Sequence, residues 1–512
     1  MKSRSKYATF NMTIAVVIFF INGIVGLVNR MVLLPVVGAE IVGLSATFSD
    51  IMMFLNFADI GLSTAIGASL FEPIHNKKYG QIRGILLLFK KLYRYCGYVF
   101  SSLAVITTGV LFFTFRDPKI SAPSASLYFI LTAATTALSY FFSYRMIILN
   151  TDQSMFRLKI VNVGFKILSV AANLLFLIVT RSFTAYLVSN IVFTFLYYAA
   201  MNALLKRAYR RAEKSRPRLE EDTSNRILRT VKGLVFHKVG EVAVYGTNNI
   251  YTSVFAGLTS TALLSNYQLI VNMLSGIIAN MFAGFNSSLG DLVAVEDPPK
   301  RYSVFRVIFF LMVVLITAIS VAFINCAQTF IRLCFGPQYV LGDNVVYLLT
   351  LYFFVLAIRP ATDQFKTAAG IFYEDRFVPL AEAAVNTVAC IILGRKFGIL
   401  GVIGGNIFST VAILSWQKPY MVFKYVFKTR LRYYFRDLVI YLAASLVSLA
   451  AAMEVCRHMY IGNLFLRFMA EGCVSVAITA LVWLILFGRT KIFRQAVDMF
   501  KGIPAHGKAV KQ

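Results

Sequence analysis

Apolar runs of about 20 residues alternate with short basic loops along the chain, and this pattern leaves few folds open. A run of that length crosses about 30 Å of hydrocarbon as a helix. Inside a bilayer every backbone N–H and C=O must be satisfied within the chain, so only helices or a closed barrel can span it. The runs are continuous rather than ten-residue alternations, which argues against a barrel. They place about fourteen transmembrane helices, at 9–36, 41–71, 93–115, 125–149, 155–180, 182–205, 232–257, 259–291, 304–328, 344–368, 375–395, 400–423, 434–456 and 463–487. The first run lacks a small-residue cleavage motif and reads as helix one, not as a removed signal peptide.

Only 14% of the residues are charged, against about a quarter in soluble domains. The net charge of +28 lies mostly in loops, so it reads as the orientation signal of a membrane protein and not as a nucleic-acid footprint. Lys77, Lys78, Arg83, Lys90 and Lys91 mark one side. The basic loop at 206–231, Lys424, Lys428 and the tail with Arg489, Lys491 and Arg494 fall on the same side, which places both termini in the cytoplasm. That loop is the longest and most charged, and divides an N-lobe (1–205) from a C-lobe (232–430), followed by two further helices and a tail (431–512). A faint internal echo places Gly38 and Gly257 each at a tight turn before a long helix. The six cysteines and four histidines show no metal or redox spacing, so neither metal nor cofactor is expected. No loop is long enough for a catalytic domain and no Gly-rich phosphate loop is present, so the chain reads as a transporter not driven directly by ATP, and not as an enzyme.

Ionisable residues inside spans cost about 2.5–3.5 kcal/mol each on insertion scales and need a partner or a wet cavity. Helix one carries Arg30, on one face with Asn22 and Gly26; it either snorkels to the interface or faces a cavity. Asp50 and Asp59 on helix two can pair with it or titrate. Helix five brings Lys166, with Asn162 and Asn173 near its face, and helix seven brings Lys238 and Glu241, three apart and able to pair. Helix ten holds the densest cluster, Arg359, Asp363 and Lys366 at i, i+4 and i+7, beside a kink at Pro360 and with Glu382 of helix eleven as a neighbour. Cations pointing inward with fewer acids suit an anionic substrate such as a diphosphate head group, because Arg grips phosphate oxygens in pairs and Lys adds a point charge. On this reading Arg30, Lys166, Lys238, Arg359 and Lys366 line the cavity, and Asp50, Asp59, Glu241, Asp363 and Glu382 pair or carry coupling ions.

Several stretches resemble bacterial polysaccharide repeat-unit flippases of the multidrug/oligosaccharidyl-lipid/polysaccharide exporter superfamily. These are RMVLLPVVGAEIVGLSATFSDIMMFLNFADIGLSTAIGASLFEPI at 30–74, LLSNYQLIVNMLSGIIANMFAGFNSSLGDL at 263–292, FGPQYVL at 335–341, and FKTAAGIFYEDRFVPLAEAAVNTVACIILGRKFGILGVIGGNIFSTV at 365–411 continuing into WQKPYMVFKYVF at 416–427. The matches follow the family's order over nearly the whole chain, but they are helix-packing patterns and say little about the sugar. The resemblance implies two six-helix lobes in a V with two extra C-terminal helices. It implies that undecaprenyl-diphosphate-linked oligosaccharide is flipped to the outer leaflet of the bacterial inner membrane by ion-gradient-driven alternating access. A polysaccharide polymerase and glycosyltransferases are the expected partners. Arg30 stands in a matched motif and takes from it the role of meeting the diphosphate. A multidrug cation antiporter of the same superfamily is the first alternative and a repeat-unit polymerase the second.

Overall fold

The computed structural model describes residues 2–56, 62–152, 156–219, 223–224, 227, 242–244, 246–283, 286–371, 374 and 377–501. Its packing divides the chain into two compact units, Met1–Ser265 and Asn266–Gln512. In the first unit lie α1 (Lys2–Val37), α2 (Ala39–Leu55), α3 (Leu62–His75), α4 (Tyr79–Thr114), α5 (Ala122–Phe142), α6 (Ile147–Thr151), α7 (Phe156–Thr180), α8 (Phe183–Ala208), α9 (Arg210–Lys214) and the start of α10 (Asn248–Ala283). The second unit holds the rest of α10, α11 (Asn286–Val295), α12 (Pro298–Cys334), α13 (Asp343–Ala357), α14 (Pro360–Ala368), α15 (Val378–Phe397) and α16 (Ile399–Ser409). It continues through α17 (Ser415–Met421), α18 (Arg432–Arg457), α19 (Leu464–Phe487) and α20 (Lys491–Lys501).

The protein is an all-α polytopic membrane protein: no strand occurs among the described residues, and twelve helical stretches are long and apolar enough to cross a membrane. The difference from about fourteen arises at two places. The expected span 41–71 is shared by α2 and α3, each too short to count alone. The expected spans 232–257 and 259–291 merge into one stretch, Val242–Phe282, which turns at Gly257.

Both glycines of the internal echo adopt one unusual conformation. Gly38 has φ 85° and ψ 163°, and Gly257 has φ 83° and ψ 168°. Only glycine enters this region without a steric penalty, so each marks a corner between two helices. The corners lie 219 residues apart, as do Glu40 and Thr259 just beyond them, and the Thr259 hydroxyl donates to the Glu40 carboxylate at 3.1 Å. The same shift carries Tyr79, the first residue of α4, onto Pro298, the first residue of α12. It also brings the span of α7, Leu158–Thr180, close to Val378–Phe397 and that of α8 close to Ile399–Val426. The chain is therefore built on two copies of one helix pattern. At Gly43 the helices α2 and α10 approach to backbone contact: a Cβ there would stand 1.9 Å from the Leu258 carbonyl oxygen.

Part of the basic loop is fastened down. Arg145 places two guanidinium nitrogens on one Glu213 oxygen, at 2.7 and 2.9 Å. Arg83 donates to the Ser215 carbonyl at 2.6 Å, and the Arg218 N–H donates to the Gly80 carbonyl at 2.9 Å. The stretch Glu213 to Arg218 is thus held against α4 and the turn between α5 and α6. Burial, with the Asp152 carboxylate accepting its hydroxyl, pushes the Tyr209 phenol up.

In the second unit α12 is the core. It is buried over 61% of its apolar window, against 17% for its counterpart α4. The reason is α18 and α19, which attach to it through a ladder of polar pairs: Arg306 to Asp437 at 3.0 Å, Thr317 to Ser445 at 2.7 Å, Asn325 to Ser475 at 2.9 Å and Thr329 to Glu471 at 2.7 Å. Between apolar helices in lipid such hydrogen bonds supply specificity that hydrophobicity cannot. Phe310, Tyr441, Trp483 and Phe487 close the seam with edge-to-face and stacked ring contacts.

Candidate functional site

Proline makes the site in the second unit. Pro360 has no N–H, so α13 stops at Ala357 and α14 restarts at Pro360. The Leu356 carbonyl, which Pro360 would otherwise have served, accepts from the Arg359 N–H at 3.3 Å. The Arg359 carbonyl in turn accepts from the Thr362 hydroxyl at 3.0 Å. The break sets Asp363 and Lys366 on a short helix, with Arg359 just before it, packed against α11 and α17.

Asp363 pairs with Lys418 of α17, whose ammonium lies 2.6 Å from Oδ1 and hydrogen-bonds Oδ2 at 2.8 Å. Glu382 is buried on α15 and accepts from the Thr410 hydroxyl at 3.2 Å. Arg359, Lys418 and Asp363 all act electrostatically on Glu382, so the group is one cluster. Lys366 is buried in it and feels Lys418, Asp363 and Arg359. One turn along α15 from Glu382, Asn386 donates to Asn406 at 2.7 Å and to Ser409 at 3.0 Å. Gly401 and Gly405 allow this closeness, since a Cβ on Gly405 would stand 2.8 Å from the Cys390 backbone nitrogen. Two π-helical turns, Thr410–Leu414 and Val422–Val426, bracket the seven residues that carry Lys418; such turns often accompany functional sites. Three cations, Arg359, Lys366 and Lys418, therefore face two carboxylates, Asp363 and Glu382. Such a group is stable only with every member hydrogen-bonded or paired, and it keeps a positive surplus for an anion.

In the first unit the predicted residues do not form such a group. Arg30 donates to the Ser265 hydroxyl and, at 3.4 Å, to the Ala262 carbonyl, both on α10. Asp50 accepts from the Asn249 N–H at 2.6 Å, the Asn249 amide at 2.8 Å and the Ile250 N–H at 3.4 Å. It therefore caps the start of α10, where N–H groups lack helical partners and a carboxylate meets the positive end of the helix dipole. Lys166 is exposed on α7, and the asparagines near its face tie α7 to α8: Asn162 accepts from Tyr197, and Asn173 donates to Asn190 at 3.0 Å. Asp59, Lys238 and Glu241 lie outside the described residues.

Lys418 lies inside the expected span 400–423, but close to its end and to Lys424 and Lys428, so the sequence does not set it apart from the loop cations. Asn386, Asn406 and Ser409 carry no charge and stand out only once folded.

No family model and no curated protein matches the sequence. Solved structures do resemble it in fold. A lipid II flippase MurJ in an inward closed conformation aligns with TM-score 0.60 at 14% identity, covering 92% of this chain and 98% of that one. An inward-facing multidrug resistance MATE family transporter of the MOP superfamily aligns with TM-score 0.62 at 13% identity over 77% of this chain and 92% of its own. A MOP superfamily transporter from Pyrococcus furiosus, described as having a binding pocket of reversed polarity, aligns with TM-score 0.56 at 13% identity over 81% and 95%. The chain has the fold of the multidrug/oligosaccharidyl-lipid/polysaccharide exporter superfamily.

Proposed function

We propose that the protein is a flippase that carries undecaprenyl-diphosphate-linked oligosaccharide across the bacterial plasma membrane for surface polysaccharide synthesis. The observation that carries this reading is the surplus of buried and half-buried cations over acids at Arg359, Lys366, Lys418, Asp363 and Glu382. A diphosphate matches it, because guanidinium and ammonium groups bind phosphate oxygens more strongly than they bind neutral acceptors. The fold shared with a lipid II flippase supports the same class of cargo. Both termini face the cytoplasm on this reading, with lobes of six helices on either side of the 206–231 loop. Ion gradients acting through Asp59, Glu241 and Glu382 drive the cycle, since the start of α10 occupies Asp50 and Lys418 occupies Asp363. A polymerase and glycosyltransferases work beside it.

A second reading, export of organic cations, draws support from the MATE transporters of similar fold. The two differ in the sign of charge the cargo must carry. Arg359→Ala with Lys366→Ala in reconstituted vesicles is expected to slow flipping of a labelled polyprenyl-diphosphate oligosaccharide about 100-fold, as loss of two charge-assisted contacts requires. Unchanged flipping in that variant, with equal protein in the membrane, removes the reading. Greater sensitivity of a deletion strain to toxic cations, with normal surface polysaccharide, favours the second.

A further inference from the structure

We infer that the arginines gathered where α18 begins, Arg306, Arg430, Arg432 and Arg436 around Asp437, form a binding site for an anionic phospholipid distinct from the transported cargo. Asp437 organises the group. Its carboxylate is buried on α18 and accepts on one oxygen from Arg306 Nε of α12 at 3.0 Å. The other oxygen accepts from Arg436 Nε at 3.1 Å and Nη2 at 2.9 Å. One acid thus holds guanidinium groups from two helices side by side. The Arg306 side chain is 39% exposed and that of Arg436 56%, against 8% for Asp437, so the acid is covered and the cations face outward. Both terminal nitrogens of Arg306 and Nη1 of Arg436 have no hydrogen-bond partner among the described residues. Arg432 and Arg436, one turn apart, stand over the Tyr433 ring at 5.2 and 5.5 Å from its centroid, and Arg430 acts electrostatically on the same side chain. An ordinary ion pair is neutral. Here four arginines share one carboxylate, which leaves a positive surplus and spare donors for phosphate oxygens.

A second observation selects a lipid over a soluble anion. The face of α18 that carries Arg432 and Arg436 continues as Val439, Ala443 and Leu446, with Ile440 and Val447 beside them. All five are exposed, Val439 at 63% and Leu446 at 65%. From Arg436 to Val447 the helix advances about 16 Å, close to the hydrocarbon depth of one leaflet. Cations at the head of an exposed apolar stripe of that length fit a charged head group with acyl chains below it, and basic sites beside spanning helices recognise anionic lipids. An acidic protein could meet the arginines but could not follow the stripe into hydrocarbon. Aromatic rings stand between this site and the cluster at Asp363: Tyr302 packs on Phe427 at 5.8 Å, and Phe427 on Phe365 of α14 at 5.2 Å. The arginines are therefore approached along α18 from the bilayer. On the orientation proposed above, this is the cytoplasmic leaflet.

Binding of a resident lipid is measured without lipid-linked sugar, so failure of the flippase reading leaves the result standing. Native mass spectrometry of the purified full-length protein in neutral detergent ranks its first bound lipid, with phosphatidylglycerol and phosphatidylcholine of equal chain length as probes. Phosphatidylglycerol is expected to bind at least roughly tenfold more tightly. Arg432→Gln with Arg436→Gln is expected to weaken it about 30-fold, the scale for two cations at a lipid surface. Lys424→Gln with Lys428→Gln removes the same charge from the neighbouring loop and is expected to leave that affinity unchanged. Equal binding of the two lipids overturns the inference. So does equal weakening by the two double variants, which marks diffuse charge, and so does displacement of the lipid by glycerol phosphate at equal concentration, which marks a site for free phosphate. Phosphatidylglycerol with a photoactivatable acyl chain is expected to label the wild type within 439–447. Labelling confined to other helices overturns the inference without any variant.

Discussion

Shifted by 219 residues, the two copies of the helix pattern can be compared position by position. Arg359, Asp363, Lys366, Glu382 and Lys418 fall on Tyr140, Tyr144, Ile147, Val163 and Ala199 of the first copy. Arg30 and Asp50 fall on Asn249 and Leu269 of the second. None of these seven positions is charged in both copies. The repeat accounts for helices and corners, and the charges are what distinguish its halves. In the first unit Arg30 and Asp50 each end on the backbone or hydroxyl of α10, so the bonds are architectural. In the second unit charged side chains meet one another, which concentrates potential in one place instead of fixing one helix to the next. On the function proposed above, the half that carries the cluster binds and the other supports.

The comparison can be broken by substitution. Asp363→Ala leaves the Lys418 ammonium unpaired and is expected to cost about 3 kcal/mol, near the low end for buried pairs because Asp363 is partly exposed. Asp363→Ala combined with Lys418→Met is expected to recover most of that, in a double-mutant cycle read by thermal unfolding. Asp50→Ala is expected to cost about 1–2 kcal/mol, the value of a lost helix cap, while transport per folded molecule is retained. If transport falls far more than stability, Asp50 belongs with the ionic cluster and the contrast between the units fails. The smallest effect is expected in the ladder on α12: Asn325→Ala costs about 0.6 kcal/mol, the usual size of a hydrogen bond between membrane helices. Transport is expected to be unchanged there.

The helices were legible in the sequence because hydrocarbon imposes their length and their backbone bonding. Which helix is core was not. α12 and α4 are both long and apolar, and lipid and protein neighbours select the same residues, so the burial of α12 follows from α18 and α19 and not from its own pattern. The i, i+4, i+7 spacing of Arg359, Asp363 and Lys366 put them on one face, and they do stand in one cluster. Their partner Lys418 comes from 55 residues further along, a pairing that only tertiary structure creates. Asp50 looked like an ion partner and is a cap, because the helix end it serves lies 199 residues away.

The ladder between α12 and the last two spanning helices sets an order on assembly. Arg306, Asn325 and Thr329 reach the membrane while their partners are still unmade, since 131, 150 and 142 residues separate the pairs. At about 5–20 residues per second, α12 waits roughly 7–30 seconds with polar groups exposed to lipid or to the insertion machinery. Release into the bilayer is therefore easiest once α19 has been synthesised, and a ribosome stalled before it strands a half-finished second unit in which Arg306, Asn325 and Thr329 still lack these partners.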